Sequence, residues 1–541
     1  MSIEGNIVDV INSDIYPGII EIRDGRIIKI RRTSSDYSHY IIPPFVDAHV
    51  HIESSMLVPS EFARVAVRHG TVATVSDPHE IANVLGISGV RFMLDNGKTV
   101  PFKFYFGAPS CVPATEHETS GGRIGAEEIE ELFKTTEVNH LSEVMNFPGV
   151  INNDPDITGK IEIARRYGKP IDGHAPGLRG DALRKYISSG ISTDHECLSL
   201  EEAEEKIQSG MKILIRQGSA AKDLMMLLEL IDRYPDNCMF CTDDCHPDDL
   251  VKGPVREIVK NAIASGIDKF KVLRCVSVNP VKHYGLDVGL LQEGDYADLL
   301  IIDNFKDFNI LKTVINGKIV SDGGRTLVEQ IPVSPVNNFN IVEKRLSDFT
   351  VKKSGEKINL IIAEDKKIVT GRERVIPKVS DDYLTSDPER DILKIVVINR
   401  YHDAPAAVAF VKGFGLKKGA IASSVAHDSH NIIAVGVSDR DLLRAVNNII
   451  SNRGGMAVAS DEYEECIPLP VAGLMATDDG FEVAERYHRI DSLAKALGAS
   501  LSAPFMTLSF MALPVIPSLK LTDRGLFDSV NFRFISLFET G

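Results

Sequence analysis

The sequence predicts an α/β protein: a (β/α)₈ barrel inserted in a small β-sandwich and followed by a C-terminal α+β domain. Three patterns indicate this organisation. Residues 1–43 and 285–344 consist of short β-branched runs separated by turn residues, residues 44–284 alternate apolar runs with amphipathic stretches, and residues 345–541 form a third region of mixed pattern. A chain of 541 residues has room for about three domains at roughly 100–200 residues each.

The two outer β segments have the same sequence pattern, in which turn residues separate short apolar runs. The first, NIVDVINSDIYPGIIEIRDGRIIKIRR, has Pro-Gly and Asp-Gly between its apolar runs. The second, DYADLLIIDNFKDFNILKTVINGKIVSDGG, has Asn-Gly and Asp-Gly-Gly. These dipeptides are typical of hairpin turns. Two separated segments can build one small sandwich if the inserted domain begins and ends at neighbouring points.

The middle region contains eight strand-like runs: IIPPFVDAH, GTVATVSDP, FKFYFGAPS, LSEVMNFPGV, KPIDGHAPG, GISTDHE, MKILIRQGS and NCMFCTDD. Amphipathic segments such as EEIEELFKTT and LEEAEEKIQSG separate several of them. Eight β-then-α units over about 240 residues match the size of a (β/α)₈ barrel. A doubly wound open sheet is the alternative.

The third region mixes strands and helices. ILKIVVINRYH, AVAFVKGFG and NIIAVGVS are strand-like, whereas DRDLLRAVNNIISNRGG and GFEVAERYHRIDSLAKALGA have helical periodicity. We expect a separate α+β domain.

Composition excludes several classes of protein. Lys plus Arg is 60 and Asp plus Glu is 76, so the net charge of −16 argues against a nucleic-acid partner. Seven cysteines are too few for a disulfide framework and fit a reducing compartment. The opening MSIEGNIVDVINSDI lacks signal-peptide character, and no window approaches about 18 uninterrupted apolar residues. We expect a cytoplasmic protein without membrane contact.

Polar residues follow the ends of the predicted barrel strands. His49 and His51 end the first strand as His-x-His, and because residues i and i+2 share one face of a strand, both imidazoles can bind one ion. The fourth, fifth, sixth and eighth strands end at Glu143, His174, His195 and Asp243. Strand ends face one another across a barrel mouth, so four imidazoles and a carboxylate there predict a two-metal hydrolytic centre. Glu143 could bridge the two ions or relay a proton.

Motifs along the whole chain resemble one family. PPFVDAHVHIESSML at 43–57 is similar to the opening of the amidohydrolase superfamily, and its IESS continuation resembles the adenine deaminases. Further motifs resemble that family in the same order: VSDPHEIANVLG, SCVPAT, EVMNFPGVI, GHAPGL, TDHE, CTDDCHPDDL, VNPVKHYGLDVGLLQEGDYADLL, SSVAHDSHNIIAVG and GLMATDDG.

The resemblance implies hydrolysis of adenine to hypoxanthine and ammonia in purine salvage. It implies two Mn²⁺ ions, with Fe²⁺ and Zn²⁺ as alternatives, and a homo-oligomer, expected to be a dimer. The family's metal ligands map onto six residues here: His49, His51, Glu143, His174, His195 and Asp243. A metal lowers the pKa of bound water from about 15.7 to about 7, and a carboxylate can then carry the proton to the base. Asp243 is the first candidate for this shuttle and Glu143 the second.

Four further residues are candidates for substrate binding. His79 and Glu80 follow the second strand, and Asp244 and His246 follow the eighth. A helix start is the alternative explanation for the first pair, and a helix cap for His246. A polar cluster in the third region contains His427, Asp428 and His430. We expect it to lie in a solvated loop; the alternative is that it reaches the mouth of the barrel or binds a further ion.

Other functions use some of the same residues. Cys238, Cys241 and Cys245 followed by His246 could form a zinc knuckle, but Cys238 and Cys241 point to opposite faces of a strand. A cyclic amidase, an amino-sugar deacetylase, a cytidine-deaminase-type zinc enzyme and a non-enzymatic scaffold remain alternatives. The cytidine-deaminase pattern H-x-E…P-C-x-x-C is incomplete, because residue 237 is Asn.

Overall fold

The computed structural model describes residues 1–219 and 221–539. The chain begins with four strands, β1 (Ser2–Asp9), β2 (Asp14–Arg23), β3 (Arg26–Arg32) and β4 (Tyr40–Ile42). β1, β2 and β3 form an antiparallel meander, and β4 runs parallel to β1. Asp24 and Gly25 between β2 and β3 have φ of 51° and 76°, as a tight Asp-Gly hairpin turn requires.

The barrel follows. Its strands are β5 (Phe45–His51), β6 (Thr71–Ser76), β7 (Lys103–Phe106), β8 (Leu141–Val144), β9 (Ile171–Gly173), β10 (Thr193–Asp194), β11 (Lys212–Arg216), β12 (Cys238–Cys241) and β13 (Asp243–Asp244). Each of the eight predicted runs contains a strand, and β13 continues the eighth. β13 pairs in parallel with β5, with Asp243 opposite Val50, which brings the last strand back to the first. The predicted (β/α)₈ barrel is confirmed.

The described part of this region contains thirteen α-helices: α1 (Pro59–Ala66), α2 (His79–Leu85), α3 (Ile87–Gly97), α4 (Ala126–Phe133), α5 (Phe147–Ile151), α6 (Pro155–Arg166), α7 (Gly180–Ser188), α8 (Leu200–Gln208), α9 (Leu224–Arg233), α10 (Pro247–Leu250), α11 (Pro254–Ala264), α12 (Lys269–Leu273) and α13 (Asn279–Tyr284). α8 shows how the sequence sets one of them. The Ser199 hydroxyl accepts a hydrogen bond from the Glu202 amide at 3.2 Å, which caps the helix. Ala203 and Ile207 then face the core.

Four more strands complete the small β domain, β14 (Leu299–Ile302), β15 (Ile310–Ile315), β16 (Lys318–Asp322) and β17 (Arg325–Thr326). β14 pairs with β4, so the two segments form one continuous eight-stranded sheet in the order β17-β16-β15-β14-β4-β1-β2-β3. Ile7 and Ile20 from the first segment share a hydrophobic cluster with Leu299 and Val314 from the second.

The C-terminal region has its own eight-stranded sheet, in the order β19-β18-β23-β22-β25-β24-β26-β27. Its strands are β18 (Ile358–Ile362), β19 (Gly371–Val375), β20 (Lys378–Ser380), β21 (Tyr383–Thr385), β22 (Leu393–Ile398), β23 (Ala407–Lys412), β24 (Ala420–Ser423), β25 (Ile432–Gly436), β26 (Gly455–Ala459), β27 (Glu464–Pro468), β28 (Leu519–Thr522), β29 (Gly525–Asp528) and β30 (Arg533–Phe534). Its helices are α14 (Asp439–Ser451), α15 (Gly480–Ala496) and α16 (Pro504–Ser509).

This C-terminal domain packs directly on the barrel. Arg64 in α1 forms an ion pair with Asp479, the N-cap of α15, at 2.8 Å. The backbone amide of Ala476 donates a hydrogen bond to the Met56 carbonyl at 2.7 Å. The domain therefore lies beside the segment that follows β5, where the predicted site begins. Among the described residues, no helix combines the length and apolarity that a membrane crossing requires.

Candidate metal centre

Two imidazoles at the end of β5 face two carboxylates from other strands. The His51 Nε2 atom is 3.2 Å from both Glu143 Oε1 and Asp243 Oδ1. The His49 Nε2 atom is 3.5 Å from Asp243 Oδ1. The two rings lie 4.9 Å apart and both are buried. The i, i+2 spacing of His-x-His therefore places both rings on the same side of the strand, as predicted.

Glu143 in β8 connects these residues to the remaining imidazoles. Its Oε2 atom is 2.7 Å from His174 Nδ1 and 3.3 Å from His195 Nε2, while its Oε1 atom faces His51. His174 and His195 directly follow β9 and β10. The structure thus brings all six predicted ligand residues together, from five different strand ends.

The donor atoms of this cluster suit a divalent metal. One group with converging ligand atoms contains His49, His195 and Asp243, and a second contains Glu143, His174 and His195. The buried His49 Nε2 atom has no hydrogen-bond partner, as expected of a nitrogen whose partner is an ion. Nitrogen and oxygen ligands suit Mn²⁺, Fe²⁺ or Zn²⁺.

The surroundings of Glu143 and Asp243 favour the ionised form of both carboxyl groups. Burial raises the pKa of Glu143, but the facing imidazoles, His174 foremost, outweigh it and hold the pKa well below its usual value. Burial also raises the pKa of Asp243, but the facing imidazoles of His49 and His51 outweigh it and hold this pKa well below its usual value. Ionised carboxylates are the form that binds a divalent cation.

Residues behind the cluster fix its geometry. The His51 Nδ1 atom is 3.1 Å from the Asp77 carbonyl, which directs Nε2 towards the cluster. Asp47 in β5 accepts hydrogen bonds from the amide and hydroxyl of Thr242, at 3.0 and 2.5 Å. These bonds hold the turn before Asp243, which has a left-handed φ of 57°.

Arg216 is a component that the sequence analysis missed. At the end of β11, its guanidinium donates hydrogen bonds to Asp243 Oδ2 at 3.0 Å and to Asp223 at 2.8 Å, and it also contacts Glu196. Asp77 and Glu196 were missed as well. In the sequence, Asp77 lies close to His79, Glu196 directly follows His195, and Arg216 ends a strand. These positions were the signals that could have identified the three residues.

The four predicted substrate-binding residues divide into two pairs. His79 begins α2, and its Nδ1 atom lies 3.1 Å from Asp77 Oδ2 and 3.7 Å from Glu143 Oε1, at the edge of the cluster. Glu80 points towards the C-terminal domain. Asp244 and His246 line a narrow cleft.

Asp244 and His246 are both held in place by hydrogen bonds. Asp244 Oδ1 accepts a hydrogen bond from the Ser54 hydroxyl at 2.5 Å. The His246 Nδ1 atom is 2.6 Å from the Tyr487 hydroxyl of the C-terminal domain. His246 is also the N-cap residue of α10, but its side chain makes no capping hydrogen bond.

The prediction that His427, Asp428 and His430 lie in a solvated loop is wrong. Their exposed fractions are 8%, 5% and 0%. The loop between β24 and β25 lies against the barrel mouth, where His427 Nδ1 is 2.7 Å from Glu80 Oε1 and His430 Nε2 hydrogen bonds with Glu80 Oε2. Packing between the domains buries this polar segment, and the alternative position of the cluster, at the mouth of the barrel, is the observed one.

The cysteines do not form the alternative zinc knuckle. Cys238 and Cys241 lie in β12 but belong to different hydrophobic clusters on its two faces. All seven cysteines are free thiols.

Comparisons with known proteins cover nearly the whole chain. The model of the amidohydrolase family matches residues 40–320, and that of the adenine deaminase C-terminal domain matches residues 367–533. An adenine deaminase from Sulfurovum sp. is 56% identical over 536 residues, 99% of each chain. One from Methanosarcina mazei is 52% identical over 547 residues, again 99% of each. Among solved structures, N-acetyl-D-glucosamine-6-phosphate deacetylase from Mycobacterium smegmatis shares 15% identity at a TM-score of 0.46, covering 59% of this chain and 100% of that one.

Proposed function

The chain belongs to the adenine deaminases of the amidohydrolase family, and we propose that its buried cluster holds two divalent metal ions, Mn²⁺ in preference to Fe²⁺ or Zn²⁺. The protein is a metal-dependent hydrolase that converts adenine to hypoxanthine and ammonia. The proposed ligands are His49, His51, Glu143, His174, His195 and Asp243.

One observation carries this proposal: four imidazoles and two carboxylates from five strand ends converge in a buried space. Glu143 contributes both oxygens to facing imidazoles, and His49 leaves a buried nitrogen without a partner. Removing such groups from water is costly unless each is paired or binds a metal. Two neighbouring ions would satisfy the whole set.

The reaction requires a nucleophilic water and two proton deliveries. When bound, the ions would supply a water that ionises near neutral pH, since a divalent metal lowers the pKa of water to about 7. Asp243 is proposed to accept the proton from this water and pass it to the base, and Glu143 is the second candidate. Arg216 holds Asp243 Oδ2, which leaves Oδ1 facing His49 and His51. A carboxylate held this way can move a proton between water, a ring nitrogen and the departing amine.

The base is proposed to enter the cleft beside the cluster. Asp244 and His246 line this cleft, His79 lies next to Glu143, and Glu80 contacts His427, which also lines the cleft. These four residues would orient the heterocycle so that its amino-bearing carbon faces the metal centre. Such positioning is a large part of enzymatic rate enhancement.

The cellular setting is also a proposal. Purine salvage, a cytoplasmic location and a homodimer rest on the family resemblance and on seven free cysteines. Adenine and water are the expected partners. The net charge of −16 argues against binding to nucleic acid.

Metal removal and reconstitution test the proposal. We expect the metal-free enzyme to be inactive and Mn²⁺ to restore hypoxanthine formation, with about two ions per chain by elemental analysis. His51→Ala and Asp243→Asn should lower the activity by orders of magnitude, whereas His488→Ala, an exposed change on α15, should leave it unchanged. Unaltered ammonia release by the first two variants would contradict the assigned roles.

A further inference from the structure

The C-terminal domain contributes one wall of the cleft beside the metal centre. Asp244 and His246 of the barrel form the polar side, and Met456, Phe505 and Phe510 of the C-terminal domain form an apolar side. An apolar, aromatic wall opposite a few polar groups is typical of sites that bind flat heterocycles. His427 also lines this space, from the loop between β24 and β25.

The His427 ring is fixed from two directions. Its Nδ1 atom is 2.7 Å from Glu80 Oε1. Its face stacks on Phe510, with ring centroids 4.6 Å apart and planes inclined by 22°. Because Nδ1 is bound to Glu80, Nε2 is the nitrogen left to contact a ligand in the cleft.

Glu80 is held by a second histidine of the same loop. The backbone amide of Ala426 donates a hydrogen bond to His430 Nδ1 at 3.2 Å, so His430 Nε2 carries the hydrogen and donates it to Glu80 Oε2. His430 is fully buried. The loop is thus attached to the barrel through both oxygens of one carboxylate, which gives His427 a defined position relative to the metal centre.

The Asp428 carboxylate has one buried oxygen without a hydrogen-bond partner. Its side chain is 5% exposed, its Oδ2 atom has no hydrogen-bond partner, and its carboxylate lies in one group with His79 and Glu80. Among the ion pairs of the described residues, Asp428 has no Lys or Arg partner. A buried acceptor without a partner is destabilising, so its retention beside the cluster points to a donor that arrives with the substrate.

We propose that His427 and Asp428 are substrate-recognition residues supplied by the C-terminal domain. The His427 Nε2 atom and the Asp428 carboxylate hydrogen bond with the ring nitrogens and N–H groups of the purine, while Phe510 supports the His427 ring. A purine carries both acceptor nitrogens and N–H donors, so an imidazole beside a carboxylate is complementary to it. This inference rests on the proposed function, because the base must lie between this wall and the metal centre.

Equilibrium binding of hypoxanthine to the full-length, Mn²⁺-loaded enzyme tests the assignment by isothermal titration calorimetry. In His427→Asn the amide takes the place of Nδ1 and keeps a donor near Glu80, but nothing replaces Nε2. In His427→Gln the amide nitrogen reaches the place of Nε2. Asp428→Asn keeps the shape of the side chain and removes its charge. His488→Asn, on the exposed side of α15, is the matched control.

We expect the Kd of hypoxanthine and the KM for adenine to rise about tenfold in His427→Asn and Asp428→Asn, the effect of one lost hydrogen bond. His427→Gln should recover part of the affinity, and the Mn²⁺ content should stay equal in all variants. Unchanged Kd values would overturn the inference, as would loss of one metal equivalent from Asp428→Asn, which would make that residue a ligand. If His427→Asn does not fold, the Kd of hypoxanthine for Asp428→Asn tests the inference by itself. A wild-type enzyme without adenine deamination or hypoxanthine binding would instead refute the proposed function.

Discussion

Replacing Lys206 with methionine should damage both the stability of the barrel and its metal centre. Lys206 in α8 is fully buried, and its Nζ atom donates hydrogen bonds to Asp194 Oδ2, Glu202 Oε1 and the Ala175 carbonyl. Asp194 precedes His195, and Ala175 follows His174. One ammonium therefore connects the two segments that carry two of the proposed ligands.

Methionine fills a similar volume but leaves Asp194 and Glu202 buried without a cation. Removing one partner of a buried ion pair costs about 3–5 kcal/mol, so we expect that loss in the free energy of unfolding of the barrel, measured in urea. We also expect Mn²⁺ affinity to fall by about 10–100-fold, measured by competition with a chelator, since residues behind metal ligands have effects of that size.

Lys185→Met on α7 is the matched control, because Lys185 is exposed and should change the unfolding free energy by less than about 0.5 kcal/mol. If Lys206→Met lowers the free energy of unfolding by less than about 1 kcal/mol and keeps wild-type Mn²⁺ affinity, the reasoning is refuted, because two buried carboxylates without a cation should cost more than that.

Two further changes test other parts of the structure. Burial lowers the pKa of Lys520 from 10.5 to about 7. The unfolded chain therefore binds more protons between these values, and stability should rise with pH. Between pH 7 and pH 9 the wild type should gain about 2 kcal/mol relative to Lys520→Met in urea unfolding, and parallel curves would contradict this. Arg216→Met leaves Asp243, Asp223 and Glu196 without their shared guanidinium. We expect kcat/KM to fall by about 10–100-fold, and wild-type kinetics would exclude a positioning role.

The barrel could be predicted from local periodicity, and its cluster from polar residues at the strand ends together with the family resemblance. Strand-like runs mark the barrel, and a period of two puts His49 and His51 on one face. Arg216 could not be assigned, since its contact with Asp243 depends on how β11, β12 and β13 align. The burial of His427 and His430 depends on how one domain packs on another, which no local pattern encodes.

The C-terminal domain forms one wall of the cleft, so a prediction of the barrel alone leaves part of the site undescribed. The cleft combines Asp244 and His246 with Phe505 and Phe510, residues more than 250 positions later in the chain. The sequence motifs included Asp244 and His246 but neither phenylalanine. Only the fold shows that they face each other.

Anomalous X-ray diffraction from crystals of the Mn²⁺-loaded enzyme tests the central claim most directly. We expect two manganese peaks about 3.5–4 Å apart, the spacing of two-metal sites, with Glu143 between them and His49, His51, His174, His195 and Asp243 around them. A single peak, or peaks outside this cluster, would contradict the proposed two-metal centre.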